Sequence, residues 1–224
     1  MDLFARNVLT IDLASSKLIF WLIARIAPAA ALAWSSLTSE LAEELKLLSK
    51  ETLHSEGSAM ADASDQRLLE ALLDSWDRNN TILVNLLRAL PEGGLEARAM
   101  EGSPSVAESF THIHYVRLVF VVEDAPEFAL DPPEKEWVVE RDPDRIAQML
   151  NESAKTVREA VRGRLEAGRD MDLHYDHPIL MLQHMIWHEG YHHGQIKLAL
   201  KAVGRPMTDE EAGPGTWGVW MRKT

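Results

Sequence analysis

The sequence predicts an all-α fold: a four-helix bundle of the up-down-down-up type with one long crossover, preceded by an extra N-terminal helical segment. Apolar residues recur at intervals of three and four in several segments, which is the spacing of one face of an α-helix. No series of segments alternates apolar and polar residues as half-buried strands do. Residues 126–143 contain four prolines and several acidic residues, which predicts a long surface crossover rather than packed structure.

The chain is predicted to divide into a helical extension, residues 1–64, and a bundle domain, residues 65–224. In the extension, residues 3–27 have the composition of an apolar helix and residues 36–53 that of an amphipathic helix, with a break near Pro28. The small and polar residues that follow indicate a linker. We expect the apolar helix to pack on the bundle or to bury a dimer face.

The stretch 18–34 is nearly all apolar, but it does not predict a membrane span. A spanning helix needs about 20 apolar residues, and Arg25 near the middle of this stretch adds an insertion cost of about 2.5 kcal/mol or more. A secretory signal would need a more basic start than this one. We therefore expect a soluble, cytoplasmic protein with no membrane partner.

Four bundle helices follow, each bounded by proline or glycine, and they are predicted over residues 65–90, 105–122, 144–166 and 177–203. Pro178 fits the first turn of the fourth helix, where its missing N–H is not needed. Gly168 and Gly204 end the third and fourth helices, because glycine readily adopts the conformation that terminates a helix. The tail at residues 216–220 is expected to pack on the bundle rather than to form a lid over a pocket.

The composition excludes several kinds of function. The 224-residue chain has no cysteine, so it has no disulfide, no thiolate metal site and no sulfur nucleophile of its own. Any metal must therefore bind to nitrogen and oxygen. The formal net charge of −12 opposes a phosphate backbone and no basic run offsets it, so we expect no nucleic-acid partner.

Four of the nine histidines fall within ten residues of the fourth predicted helix: His184, His188, His192 and His193. His188 and His192 are four residues apart, so they project from nearly the same face with Cβ atoms roughly 6 Å apart. This spacing suits two ligands of one divalent ion. His184 extends the row by one turn and is a candidate nearby ligand, whereas His193 points about 100° away. The alternative is a row of surface or partly buried histidines without an ion.

A catalytic ion needs a third protein ligand, because catalytic zinc usually has three and keeps one position open. The candidates are His112 and His114 on the second predicted helix, which face nearly opposite ways and cannot both point inward. We predict His112 as the ligand, because its face carries the small residues Ser105 and Ser109 and leaves room for an ion. His114, on the face of Arg117, is the alternative third ligand.

Residues 188–192 also fit the H-E-x-x-H pattern of metallopeptidases, in which a glutamate between two zinc ligands is the general base. The residues after them, Gly194 and Gln195, do not continue the metzincin pattern. Glu210 or Glu211 could act as a downstream ligand, but no edge strand is predicted to hold a peptide. A metallopeptidase is therefore the weaker interpretation.

The chain resembles the DinB/YfiT-like superfamily in two segments. Residues 105–113 match the first ligand helix of the family, and residues 188–196, followed by Gly204, match the second. The resemblance covers about residues 65–205. It departs from the family at His193, where many members have arginine, and the residues before the bundle have no recognised counterpart.

This resemblance implies a four-helix bundle with a long crossover in which three histidines bind a divalent metal, here His112, His188 and His192. It implies nickel, zinc or another divalent ion, and frequent homodimers. Characterised members include thiol-dependent isomerases and thiol S-transferases. A shared fold does not by itself identify a reaction.

Two classes of function follow as expectations. The first is a metal-dependent enzyme acting on a small molecule, either an S-transferase or isomerase that uses a low-molecular-weight thiol, or a hydrolase. In such an enzyme Glu189 is the candidate proton acceptor or outer partner of the metal, although its side chain lies about 100° from His188 and could instead face solvent. The second is a non-catalytic metal-binding dimer with a structural or regulatory role, whose ion would be fully ligated.

Overall fold

A computed structural model of the chain describes residues 64–221. The predicted N-terminal extension and the apolar stretch 18–34 lie outside the described residues, so the domain boundary near residue 64 stays a prediction. Among the described residues, no helix is both long enough and apolar enough to cross a membrane.

The described part of the chain is all-α, which confirms the predicted fold class. Its long helices are α1 (residues 64–88), α2 (Val106–Asp124), α3 (Pro143–Glu166) and α4 (Pro178–Ala202). Two short helices follow, α5 (Asp209–Ala212) and α6 (Trp217–Trp220). Residues 64–221 contain no β-strand and only an isolated antiparallel bridge between Arg98 and Ser105.

Side chains cap the starts of α2, α3 and α4. At α2, Ser105 Oγ accepts a hydrogen bond from the Glu108 backbone N–H, and the Glu108 carboxylate accepts one from the Ser105 N–H, which forms a capping box. Asp142 caps α3 and His177 caps α4, each with a proline in the first turn of the helix. These caps place the helix starts close to where the sequence predicts them.

Paired contacts give the directions of the long helices. α2 and α3 run parallel, because His114 contacts Met149 near their starts and Glu127, just beyond α2, pairs with Arg164 near the end of α3. Crossover residues 125–142 therefore return the chain along the bundle before α3 begins. α1 and α4 run in the opposite direction, and the pairs that show this are Asn80–Asn151, Glu70–Arg162, His112–His188 and Asp124–His174.

The interior of the bundle contains two apolar clusters with a polar layer at their junction. One cluster surrounds Phe110 and Leu150, and the other surrounds Trp76 and Met185. The buried polar residues of the layer are Asn79, His112, His114, Arg117, Ser153, Glu189 and His192. All four long helices contribute to this layer, so the packing of the bundle determines how its side chains meet.

The C-terminal tail packs on α1. Asn85 Nδ2 donates to the Gly215 carbonyl oxygen at 2.9 Å, and Arg78 Nη1 donates to the Val219 carbonyl oxygen at 2.6 Å. The Val219 side chain is buried. The tail therefore packs on the bundle, as the sequence analysis predicts.

Candidate metal centre

Three histidine side chains from two helices converge in the polar layer. His188 Nε2 lies 3.0 Å from His192 Nε2 and 3.3 Å from His112 Nε2. The first two residues are one turn apart on α4, and α2 brings His112 against them. The ligand atoms of all three lie within 4.8 Å of one another, so the structure brings together the three histidines that the sequence favours.

The separations between these nitrogens fit a bound divalent ion. Zinc binds imidazole nitrogen at about 2.0–2.1 Å, which places two nitrogens roughly 2.8–3.4 Å apart at octahedral to tetrahedral angles. Imidazole nitrogen also suits nickel, copper and iron. The group is therefore compatible with metal binding.

Burial keeps the three imidazoles neutral. Loss of hydration lowers the pKa of His112 and the pKa of His192 to about 4. Loss of hydration, with the neighbouring histidines as a smaller cause, lowers the pKa of His188 to about 3. At neutral pH each ring therefore keeps a nitrogen lone pair, as a metal ligand must.

Two residues of the crossover contact the outer side of His112. Glu136 Oε1 lies 2.9 Å from His112 Nδ1. The Trp137 ring stacks on the His112 imidazole with centroids 4.0 Å apart and planes 1° from parallel. Sequence reasoning missed both residues, because the crossover has no periodicity that assigns its side chains to a face.

The two other candidate ligands lie outside the three-nitrogen group. His114 Nδ1 donates to the Met149 carbonyl oxygen at 2.8 Å, on the side of α2 that faces α3. His184 Nδ1 lies 2.7 Å from the Tyr175 hydroxyl, and its ring centroid is 6.5 Å from that of His188. Each of these two histidines has a hydrogen-bond partner of its own.

Glu189 is buried in an ion pair. Its Oε1 accepts from Arg117 Nε at 2.6 Å, and its Oε2 accepts from Arg117 Nη2 at 2.8 Å and from the side-chain amide of Asn79. The alternative of a solvent-facing Glu189 is wrong, since the residue is only 1% exposed. Because both carboxylate oxygens already accept hydrogen bonds, this environment favours a structural role over proton transfer.

The chain is similar to a known protein family. A family model described as DinB family matches residues 60–212, more than half of the 224-residue chain. No curated protein and no solved structure gives a significant match. The matched residues include α1 to α4 and the three converging histidines.

Proposed function

Because the chain belongs to the DinB family, we propose that His112, His188 and His192 bind a divalent metal ion and that the loaded protein is an enzyme acting on a small molecule. One observation supports this most directly. Three neutral imidazoles from two helices direct their Nε2 atoms at one another, at 3.0 and 3.3 Å. Buried polar atoms normally have bonding partners, and a single ion would satisfy all three nitrogens together.

Zinc and nickel are the ions that we propose first. Imidazole nitrogen suits both ions, and among the described residues no carboxylate joins the three-histidine group. When bound, such an ion supplies a Lewis acid for a water molecule or a thiol. Three protein ligands leave at least one position for a group from solution.

For the reaction we propose a thiol-dependent transfer or isomerisation, with hydrolysis as the alternative. The chain has no cysteine, so a low-molecular-weight thiol has to supply any sulfur nucleophile. Beside the histidines, Trp187 and Tyr191 are exposed and stack on each other, and the Tyr191 ring centroid is 5.3 Å from that of His192. These rings offer an apolar surface for the small-molecule substrate.

A metallopeptidase is not supported by the same residues. In the H-E-x-x-H pattern, the glutamate must reach a water molecule at the ion as general base. Glu189 instead forms an ion pair with Arg117, and both side chains are 0% exposed. A general base in this position would first have to leave its cationic partner.

The second candidate is a non-catalytic metal-binding dimer. An exposed apolar stripe along one face of α4 favours contact with another protein, and its residues are Leu180, Trp187, Tyr191 and Leu198. We propose that a second copy of this chain covers the stripe. In the first candidate the substrate instead lies against Trp187 and Tyr191, so the two candidates differ in what covers these rings and in whether the ion keeps an open position.

Metal analysis of the purified full chain tests the proposed site. We expect about one ion per chain after supplementation with zinc or nickel. His112→Ala and His188→Ala should lose the ion, whereas His114→Ala should retain it because its ring bonds to α3. A wild-type protein without metal, or equal retention in all three variants, refutes the site.

Activity is tested on the metal-loaded protein with low-molecular-weight thiols and small electrophiles. Turnover that disappears in His188→Ala supports a metal-dependent enzyme. A loaded dimer whose ion exchanges no ligand with solution supports the non-catalytic alternative.

A further inference from the structure

We propose that Glu136 and Trp137 are positioning residues for His112, holding its imidazole with Nδ1–H towards the Glu136 carboxylate and the Nε2 lone pair towards His188. The inference rests on the proposed function, because it concerns a ligand of the proposed metal site. It deepens that function by assigning part of the crossover to the control of metal affinity.

The surroundings of His112 Nδ1 give the first support. This nitrogen is buried and makes no well-aligned hydrogen bond, but Glu136 Oε1 lies 2.9 Å away. A buried ring N–H needs an acceptor, and carboxylates often accept the second N–H of a metal-binding histidine. The Glu136 side chain is 45% exposed, which leaves it room to rotate into line with the N–H.

The stacking of Trp137 gives the second support. Its ring is parallel to the His112 imidazole within 1°, at a centroid distance of 4.0 Å. A parallel neighbour at this distance restricts rotation of the imidazole out of its plane, and the ring plane determines where Nε2 points. Glu136 thus sets which nitrogen carries the proton, and Trp137 sets the direction of the other nitrogen.

Thr111 anchors these two residues at the site. Its hydroxyl donates to the Val138 carbonyl oxygen at 2.7 Å and accepts from the Val138 N–H at 3.3 Å. The consecutive crossover residues Glu136, Trp137 and Val138 therefore contact the consecutive α2 residues Thr111 and His112. This repeated contact indicates a fixed register between the crossover and the ligand helix rather than a chance approach of one side chain.

The consequence concerns the free energy of metal binding. A free imidazole exchanges between two tautomers and rotates, whereas a ligand must present a bare Nε2 in one direction. A ring held in that state loses less freedom when the ion binds. Removal of such an outer partner typically weakens metal binding by about 10- to 100-fold.

The experiment uses the full chain and two readouts. Ring-nitrogen NMR of the metal-free protein gives the tautomer of His112, and competition with a chromophoric chelator gives the zinc affinity. The variants are Glu136→Ala, Glu136→Gln, Trp137→Ala and Trp137→Phe. Glu134→Ala is the matched control, because it removes an exposed carboxylate from the same crossover. Far-ultraviolet circular dichroism checks that each variant keeps its helices.

We expect Glu136→Ala to mix the His112 tautomers and to weaken zinc binding by about 10- to 100-fold. Glu136→Gln keeps an acceptor oxygen and should recover part of both effects. Trp137→Ala should weaken zinc binding more than Trp137→Phe, which retains a stacking ring. Glu134→Ala should behave like the wild type in both readouts.

The inference is overturned if Glu136→Ala matches Glu134→Ala in both readouts. It is also overturned if zinc affinity falls while the His112 tautomer stays unchanged, because Glu136 would then act only through its charge. The tautomer is measured without metal, so it tests the positioning role of Glu136 independently of the proposed metal site. A wild type that binds no zinc but whose tautomer depends on Glu136 refutes the proposed function and retains the positioning role.

Discussion

Arg117 and Glu189 form an ion pair at the junction of the two apolar clusters, with Nε 2.6 Å from Oε1 and both side chains 0% exposed. The pair joins α2 to α4, the helices that carry the three converging histidines, and Glu189 directly follows His188. Arg117 also donates to the Leu150 carbonyl oxygen of α3, and Asn79 of α1 donates to Glu189. One polar network thus connects all four long helices and holds α2 in register with α4.

Removal of one member of this pair should destabilise the fold strongly. Glu189→Ala leaves Arg117 as an unpaired charge in the core, which typically costs about 3–5 kcal/mol. Urea denaturation of the metal-free protein measures the free energy of unfolding. Glu159→Ala is the control, because it breaks the exposed pair with Lys155 and should cost less than about 1 kcal/mol. Similar losses in the two variants would contradict the buried pair.

Local rules predict the helices and the histidine pair from the sequence. A helix start depends on its cap and first turn, as His177 and Pro178 show at α4, so no tertiary information is needed. The convergence of His188 and His192 follows from their spacing on one helix. The preference for His112 follows from the small residues on its face, and the structure places His112 beside the pair.

The partners of the site residues could not be predicted in the same way. Glu189 pairs with Arg117 across 72 positions of sequence, and an arginine in a helix that also carries other polar residues fits a surface position equally well. Glu136 and Trp137 lie in a crossover whose composition assigns no side chain to a face. Such contacts depend on how the helices pack, and the residue spacing within a single sequence does not reveal this packing.

A bound ion should stabilise the folded protein. A ligand at about 100 times its dissociation constant adds about 2.7 kcal/mol to the free energy of unfolding when it binds only the folded state. Thermal unfolding should therefore show a higher Tm with zinc for the wild type and for His114→Ala. His188→Ala removes the central nitrogen of the group, so its Tm should not respond. A full zinc response in His188→Ala would contradict the assigned ligands.

The ion should stay bound at a pH where exposed histidines release metal. Binding requires neutral imidazoles, and an ordinary histidine has a pKa of about 6.5. Burial lowers the pKa of His188 to about 3 and those of His112 and His192 to about 4, so protons compete with the ion only well below the ordinary value. Metal content after dialysis over a pH series measures this release. A release midpoint near the ordinary histidine pKa would contradict the buried, neutral group.

The capping box of α2 should contribute to stability in a pH-dependent way. The Ser105 backbone N–H, followed by the Ser105 hydroxyl and Arg98, holds the pKa of Glu108 below the ordinary value of 4.5. A pKa lowered by folding gives stability that is fully present above the unfolded value and is lost as pH falls through the folded value. Glu108→Gln should therefore cost more at neutral pH than in acid, as urea denaturation at both pH values would show.

Ser105→Ala removes the other half of the same box and should cost about 1 kcal/mol at neutral pH. Ser75→Ala, in the middle of α1, is the matched control, because alanine is at least as favourable as serine inside a helix. Equal free energies of unfolding for the two variants would show that the cap does not stabilise α2.

Gly163 of α3 lies directly against the ring of Phe128, which ends a short 3-10 helix at the start of the crossover. Alanine normally stabilises a helix interior relative to glycine by about 1 kcal/mol. At Gly163 the added Cβ would overlap the Phe128 ring, so we expect Gly163→Ala to destabilise the protein by about 1–3 kcal/mol.

Gly194→Ala in α4 is the matched test, because within the described residues its added Cβ has no atom within 4 Å apart from its chain neighbours and the backbone of its own helix. Urea denaturation of the metal-free variants should show the opposite sign at the two positions, with Gly194→Ala neutral or stabilising. A gain at Gly163 as well would mean that the Phe128 ring moves aside at little cost. The Phe128 ring would then contribute little to holding the start of the crossover on α3, and this attachment would depend on the ion pair between Glu127 and Arg164.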